Sequence, residues 1–203
     1  MPKPPSSNET FAARIRRETA PEHEAIEGVV DLMRPDIDRA AYRGYLERAL
    51  GFIEASDARV RQHLGAWLDL ELRTHAPRLI ADLRALGASD DEIAALPRAE
   101  DAFSDFDLQR TWGAAYVIEG STLGGQLLRK HLASTLDGEP PLFAFLDPHG
   151  PQTGRRWREF RAALEAAAER EDPDRIVDGA RETFARYRRW LAQPRLVPAA
   201  AEA

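Results

Sequence analysis

The sequence predicts an all-α fold in a single domain. Three observations carry this. Apolar residues recur at the three- and four-residue spacing of a helix through most of the chain. No stretch shows the alternation of a strand; the one short β-like run, Tyr116-Val117-Ile118, sits inside a helical pattern. Finally, 203 residues with 43% hydrophobic content suit one domain with a buried core, and 14 prolines and 13 glycines supply clear punctuation.

The elements follow in order. Residues 1–8, with three prolines and two serines, read as a flexible tail, and 194–203 read likewise, leaving 9–193 as the domain. Thr10 to about Gly28 is helical, with Phe11, Ile15, Ile26 and Val30 as its apolar positions. Pro21 interrupts it, and Thr19 followed by Glu22 has capping-box spacing, so a new helix starts there or the first one kinks. Arg39 to Leu64 is the clearest helix: Tyr42, Tyr45, Leu46, Ala49, Phe52, Ile53, Ser56, Val60 and Leu64 form one face, and Asp38 is placed to cap it. Pro77 opens a helix closed by Gly87, and Ser89-Asp90-Asp91-Glu92 opens a short one that ends before Pro97. Asp107 to about Thr135 is long despite Gly113, Gly120, Gly124 and Gly125 within it. Thr153 to Arg170 carries Trp157, Phe160 and Leu164 on one side. Asp172-Pro173 starts the last helix, whose core side is Ile176, Val177, Ala180, Phe184, Tyr187 and Leu191. The expected count is about seven helices.

Composition removes whole classes of function. The 34 acids and 28 bases leave a net charge of −6, which argues against general nucleic-acid binding. The absence of cysteine removes disulfides, thiolate metal sites, iron–sulfur clusters and cysteine nucleophiles. No apolar run of about 18 residues is present to span a membrane, and no signal-peptide pattern is visible, so the expected setting is cytoplasmic.

Two features break local rules. In Tyr116 to Gln126, each mid-helix glycine costs about 1 kcal/mol relative to alanine. Gly120 and Gly124 are four apart and leave a bare groove on one face, for a second helix or for a flat ligand. The second feature is His23 with Glu27, neighbours on one helix face. They are either a surface pair or a metal-binding imidazole whose other ring nitrogen is held by a carboxylate.

Tyr116 to Gln126 resembles the distal helix of heme oxygenases, and is similar to the bacterial branch that accompanies bacteriophytochromes. Arg16, Thr19-Ala20, His23 and Glu27 resemble the family's proximal helix, and Phe143 through Gly150 and Thr153-Gly154 to Phe160 resemble that same branch. The resemblance implies an all-α fold with heme, both substrate and cofactor, between the two helices. It implies oxidation of heme to biliverdin with release of carbon monoxide and ferrous iron, using O2 and electrons from an external donor such as a ferredoxin or a reductase. A bacteriophytochrome receiving the biliverdin is the implied recipient. By position, His23 matches the axial ligand and Glu27 its hydrogen-bond partner. Gly120, Gly124 and Gly125 match the distal glycines, and Tyr116 opens that run. Arg16 and Arg158 match propionate-side bases, with Arg161 as the substitute for Arg158. Phe184 matches a pocket-wall aromatic. Many members carry an aspartate after the first distal glycine; Ser121 stands there, and the resembled branch commonly lacks the acid.

The remaining candidates read as structural. His63 and His75 are expected at the surface, His131 near a helix end, and His149 in a turn, while Trp112, Trp157 and Trp190 are expected to pack. Arg186, Arg188 and Arg189 form a basic cluster that is either a solvated face or a docking point for an acidic donor. The competing function is a heme carrier or sensor without turnover. A di-iron site is disfavoured because no Glu-x-x-His occurs. A structural adaptor would leave the mid-helix glycines without a ligand-related reason.

Overall fold

The computed structural model describes residues 9–136 and 143–193; the two predicted tails lie outside them. Among the described residues there are nine α-helices and no strand: α1 (Phe11–Glu18), α2 (Ala20–Glu27), α3 (Arg39–Leu64), α4 (Leu70–Arg73), α5 (Ala76–Ala85), α6 (Asp90–Ala94), α7 (Leu108–Thr135), α8 (Thr153–Ala168) and α9 (Pro173–Leu191). A 3₁₀ turn, Gly150–Gln152, precedes α8. No described helix is long and apolar enough to cross a membrane.

The caps expected from sequence form at three helices. Asp38 accepts from the Ala41 N–H at 2.7 Å, and Asp172 from the Asp174 N–H at 3.0 Å. Ser89 and Glu92 close a reciprocal capping box at the start of α6. Gly87, with φ of 85°, takes the left-handed conformation that ends the α5 segment. Thr19 behaves differently. It makes no capping box; its buried hydroxyl donates instead to the Ile15 carbonyl at 2.8 Å, so the Thr10–Gly28 segment is two helices hinged at Thr19. That division and the four-residue α4, too short to show periodicity, account for nine helices rather than about seven.

The core runs from Ile15 to Leu191 and includes every residue expected on the inner faces of α3 and α9. Helix α7 packs mainly along α9, with α3 and α8 on its other sides; α2 lies on α9. The α7–α9 crossing is backbone on backbone. A Cβ at Gly113 would lie 2.2 Å from the Ile176 carbonyl oxygen, and one at Gly179 2.4 Å from that of Arg110. Gly113 is therefore a packing glycine.

Asp82 on α5 is fully buried and accepts N–H bonds from Ala144 and Phe145 at 2.9 and 2.8 Å. Burial pushes its carboxyl up to about 6, against the pull of those two bonds. A carboxyl whose folded pKa is raised adds stability at low pH and loses it as pH rises through the folded value. The stability difference between the natural chain and Asp82→Asn should therefore change by about 1–3 kcal/mol between pH 4 and 8, the natural chain gaining toward acid. Urea unfolding of both proteins across that range checks it; a pH-independent difference contradicts it.

Candidate functional site

The start of α2 and the middle of α7 meet where the Tyr116 hydroxyl bonds the Thr19 side chain, and four residues beyond these two stand His23 and Gly120, the two sides of the candidate cleft. Helix α2 brings His23. Pro21 in its first turn and the hinge at Thr19 turn the helix onto α9, and Ile26 anchors its buried side. The imidazole of His23 stands out from this support, with 58% of its side-chain surface exposed. Its Nδ1 faces Glu27 Oε1 at 3.5 Å, and its ring meets the edge of Phe184 at 5.7 Å and 87°. The carboxylate and the aromatic wall together leave Nε2 as the nitrogen available to a ligand.

The other wall is α7. Gly120, Leu123, Gly124 and Leu127 follow the i, i+3, i+4, i+7 rule and share one stripe. A Cβ at Gly124 would meet nothing within 4 Å, and one at Gly120 only the Trp157 ring edge at 3.7 Å. Leu123 and Leu127 are 40% and 62% exposed, as are Met33 (47%) and Val29 (36%) just beyond α2. An exposed apolar stripe interrupted by side-chain-free positions suits a flat apolar ligand rather than another helix. Of the glycines in α7, Gly113 and Gly125 pack against backbone, whereas Gly120 and Gly124 are open. At Gly125 the Cβ direction runs into the Leu146 carbonyl oxygen, 2.1 Å away, so that position faces the 143–147 turn and not the stripe.

Ser121 is exposed, and its hydroxyl donates to the Ile118 carbonyl at 2.7 Å; Thr122 does the same to Glu119 at 2.7 Å. Such back-bonding favours a bend in the helix. Behind the stripe, buried Glu119 pairs with Arg73, also buried, and meets His75 Nε2 at 3.4 Å. The pair is satisfied further by the Arg156 carbonyl and by the Phe160 ring, over which the Arg73 guanidinium lies at 5.3 Å. His75, expected at the surface, is 2% exposed. Its backbone N–H and that of Ala76 donate to Asp57 at 2.9 and 2.8 Å, which anchors the start of α5. Nothing in the spacing around His75 signals this, because its partners lie on α3 and α7. His149 is half-buried in its turn, and burial holds its imidazole below the usual histidine range.

At the edge of the cleft, Tyr116 is buried and its hydroxyl is raised by that burial, against a hydrogen bond to the Thr19 side chain and the charges of Arg16 and Arg161. The charges of Arg16, on α1, and Arg161, on α8, both exposed, thus act on Tyr116. Arg158 is exposed and folds back along α8, one guanidinium nitrogen 3.7 Å from the Cβ direction of Gly154. Among the basic cluster on α9, Arg186 is neutralised by Asp105 at 2.7 Å and Glu182 at 2.9 Å, with Arg188 and Arg189 exposed. Among the described residues, no three His, Asp or Glu side chains gather as a metal site.

The fold and the cleft define an all-α protein that offers one imidazole and an apolar, glycine-interrupted wall to a flat ligand. The heme oxygenase family model matches residues 9–193. A heme oxygenase of Xanthomonas campestris pv. campestris (strain 8004) is 33% identical over 131 residues, 60% of this chain and 70% of that protein. The heme oxygenase structure from Leptospira interrogans superposes with a TM-score of 0.75 over 90% of this chain and 98% of that one, at 17% identity. The NO- and CO-bound heme oxygenase from Neisseria meningitidis gives 0.68 over 90% of each chain, at 28% identity. The chain belongs to the heme oxygenase family.

Proposed function

We propose that this chain binds heme in the cleft between α2 and α7, with His23 Nε2 on the iron, and oxidises it to biliverdin, carbon monoxide and ferrous iron with O2 and external electrons. The observation that carries the reading is the pairing of an outward imidazole, backed by Glu27 and Phe184, with the open Gly120–Leu127 stripe. The residues fit the group. A porphyrin plate would cover the exposed Leu123, Leu127, Val29 and Met33, and the His23 imidazole would hold its iron. Bound heme supplies the O2 chemistry.

The chain's own residues orient the substrate and hold its surroundings. Glu27 fixes the His23 tautomer, so that Nε2 carries the lone pair. Gly120 and Gly124 admit the α7 backbone close to the plate. Phe184 closes the cleft beside His23. Arg16 and Arg161, flanking Tyr116, give the plate's two carboxylates a charged edge, with Arg161 taking the place that sequence resemblance offered first to Arg158. Ser121 keeps its hydroxyl oxygen free to accept from water while its proton is spent on Ile118. The domain is 9–193, acting in the cytoplasm as the partner of a ferredoxin or reductase, and a bacteriophytochrome is the recipient of the product.

Hemin titration followed by absorption tests the edge assignment. Both Arg16→Ala and Arg161→Ala should weaken hemin binding roughly threefold each, the scale of an exposed ion pair, and change the proportions of biliverdin isomers. Arg158→Ala should leave both unchanged. The reverse ranking returns the anchor to Arg158.

A further inference from the structure

We propose that the 143–147 turn is a latch on α7, that Asp82 and Gly125 are the positioning residues that hold it, and that its release limits how fast product leaves the cleft. The inference rests on the reading that the ligand lies against Gly120 and Gly124.

The turn is fixed on two sides. On one, both carboxylate oxygens of Asp82 are engaged, Oδ1 by the Ala144 N–H at 2.9 Å and Oδ2 by the Phe145 N–H at 2.8 Å. On the other, the Leu146 carbonyl rests on Gly125 so closely that a Cβ would lie 2.1 Å from its oxygen and 3.0 Å from its carbon. No other residue type permits that approach. The next residue continues the contact, since Gln126 Nε2 donates to Asp147 Oδ1 at 3.2 Å and to the Gly150 carbonyl at 3.0 Å. Phe143, Phe145 and Leu146 are buried, so the turn is part of the core and not a surface loop.

Gly124, the neighbour of Gly125, opens onto the cleft. Any displacement of the turn therefore moves the stripe on which the ligand lies. The chain retains a carboxylate here although burial disfavours its charge; Tyr42 on α3 is the titratable group facing it, and the turn presents only N–H donors. A charged acceptor with two convergent oxygens fixes direction as well as attachment, which an apolar side chain cannot do. Release of this contact frees the half of α7 beyond Ser121 and Thr122, whose side-chain back-bonds are of the kind that favours a bend there.

The test compares the natural chain, Asp82→Asn, Gly125→Ala and the double variant. In the asparagine variant one N–H loses its acceptor and meets an amide donor. In the alanine variant the Cβ pushes Leu146 away. Amide hydrogen exchange without hemin should rise roughly tenfold more at residues 124–129 and 143–147 than at α3 and α9 in each variant. The double variant should exceed the larger single effect by less than about twofold, because both changes break one contact. With hemin bound, Asp82→Asn should keep its Soret band and the rate of a single turnover, while biliverdin release, followed by stopped-flow absorption, quickens several-fold. Unchanged exchange at 124–129 in both variants overturns the latch, as does a rise spread evenly over the chain. Local exchange with unaltered release overturns its role in product departure. Absence of a Soret band in the natural chain is a different outcome: it removes the heme reading and leaves the exchange result standing.

Discussion

His23→Ala is expected to lower turnover of added hemin more than a hundredfold. Even outer partners of a metal-bound histidine are worth about 10–100-fold, and this change removes the nitrogen proposed to bond the iron. The imidazole is 58% exposed and is held by a helix whose packing depends on Ile26 instead, so the variant should melt within about 2 °C of the natural chain. Stability and activity are thereby separated. Hemin should still enter the apolar cleft but with an altered Soret band, and free imidazole should restore both the spectrum and part of the turnover, because the vacated space opens to solvent. Glu27→Gln should sit at the low end of the range for outer partners, since its oxygen is 3.5 Å from Nδ1 and 66% of its side chain is exposed. Full activity of the alanine variant without imidazole contradicts the assignment of the axial ligand.

Two glycines on the same helix are expected to fail in opposite ways. Gly113→Ala places a methyl 2.2 Å from the Ile176 carbonyl oxygen and 2.4 Å from the Ala180 nitrogen, where neither backbone can yield without parting α7 from α9. A loss of about 3 kcal/mol or more is expected, the upper range for overpacking. In a chain of this size that lowers Tm by roughly 6–12 °C. Gly124→Leu meets nothing within 4 Å, and leucine is the better helix former, so Tm should hold or rise slightly. Its side chain would fill the space proposed for the plate, and hemin affinity should fall roughly tenfold or more, about 1.4 kcal/mol or above. Thermal unfolding and hemin titration of the two variants check both halves. A heme defect in the first without a stability defect, or the converse in the second, would reverse the roles given to these positions.

Most of the fold was legible because its signals are local. The inner faces of α3 and α9 repeat without interruption, and the caps at Asp38, Ser89 and Asp172 use side chains within three residues of the N–H they satisfy. Thr19 shows the limit of that logic. Its spacing to Glu22 suits a capping box, but the hydroxyl finds the Ile15 carbonyl inside the preceding helix and makes a hinge. The glycines of α7 divide in the same way. Sequence shows that each costs helix stability, but whether it admits a neighbouring backbone or a ligand depends on what stands opposite. Ile176 stands opposite Gly113, Leu146 opposite Gly125, and nothing opposite Gly124. His75 and Glu119, 44 residues apart, were beyond reach for the same reason. A buried ionic pair is written in tertiary contacts, and both residues sit in stretches whose patterns resemble ordinary surface turns and helix interiors.

The measurement closest to the central claim is the absorption spectrum of the purified chain with one equivalent of hemin, followed after ascorbate is added in air. A sharp Soret band saturating at one equivalent is expected, then its decay as a biliverdin absorption grows with release of carbon monoxide. A Soret band that persists unchanged in ascorbate and air contradicts turnover and identifies a carrier or sensor. No band at all contradicts the cleft between α2 and α7 as a heme site.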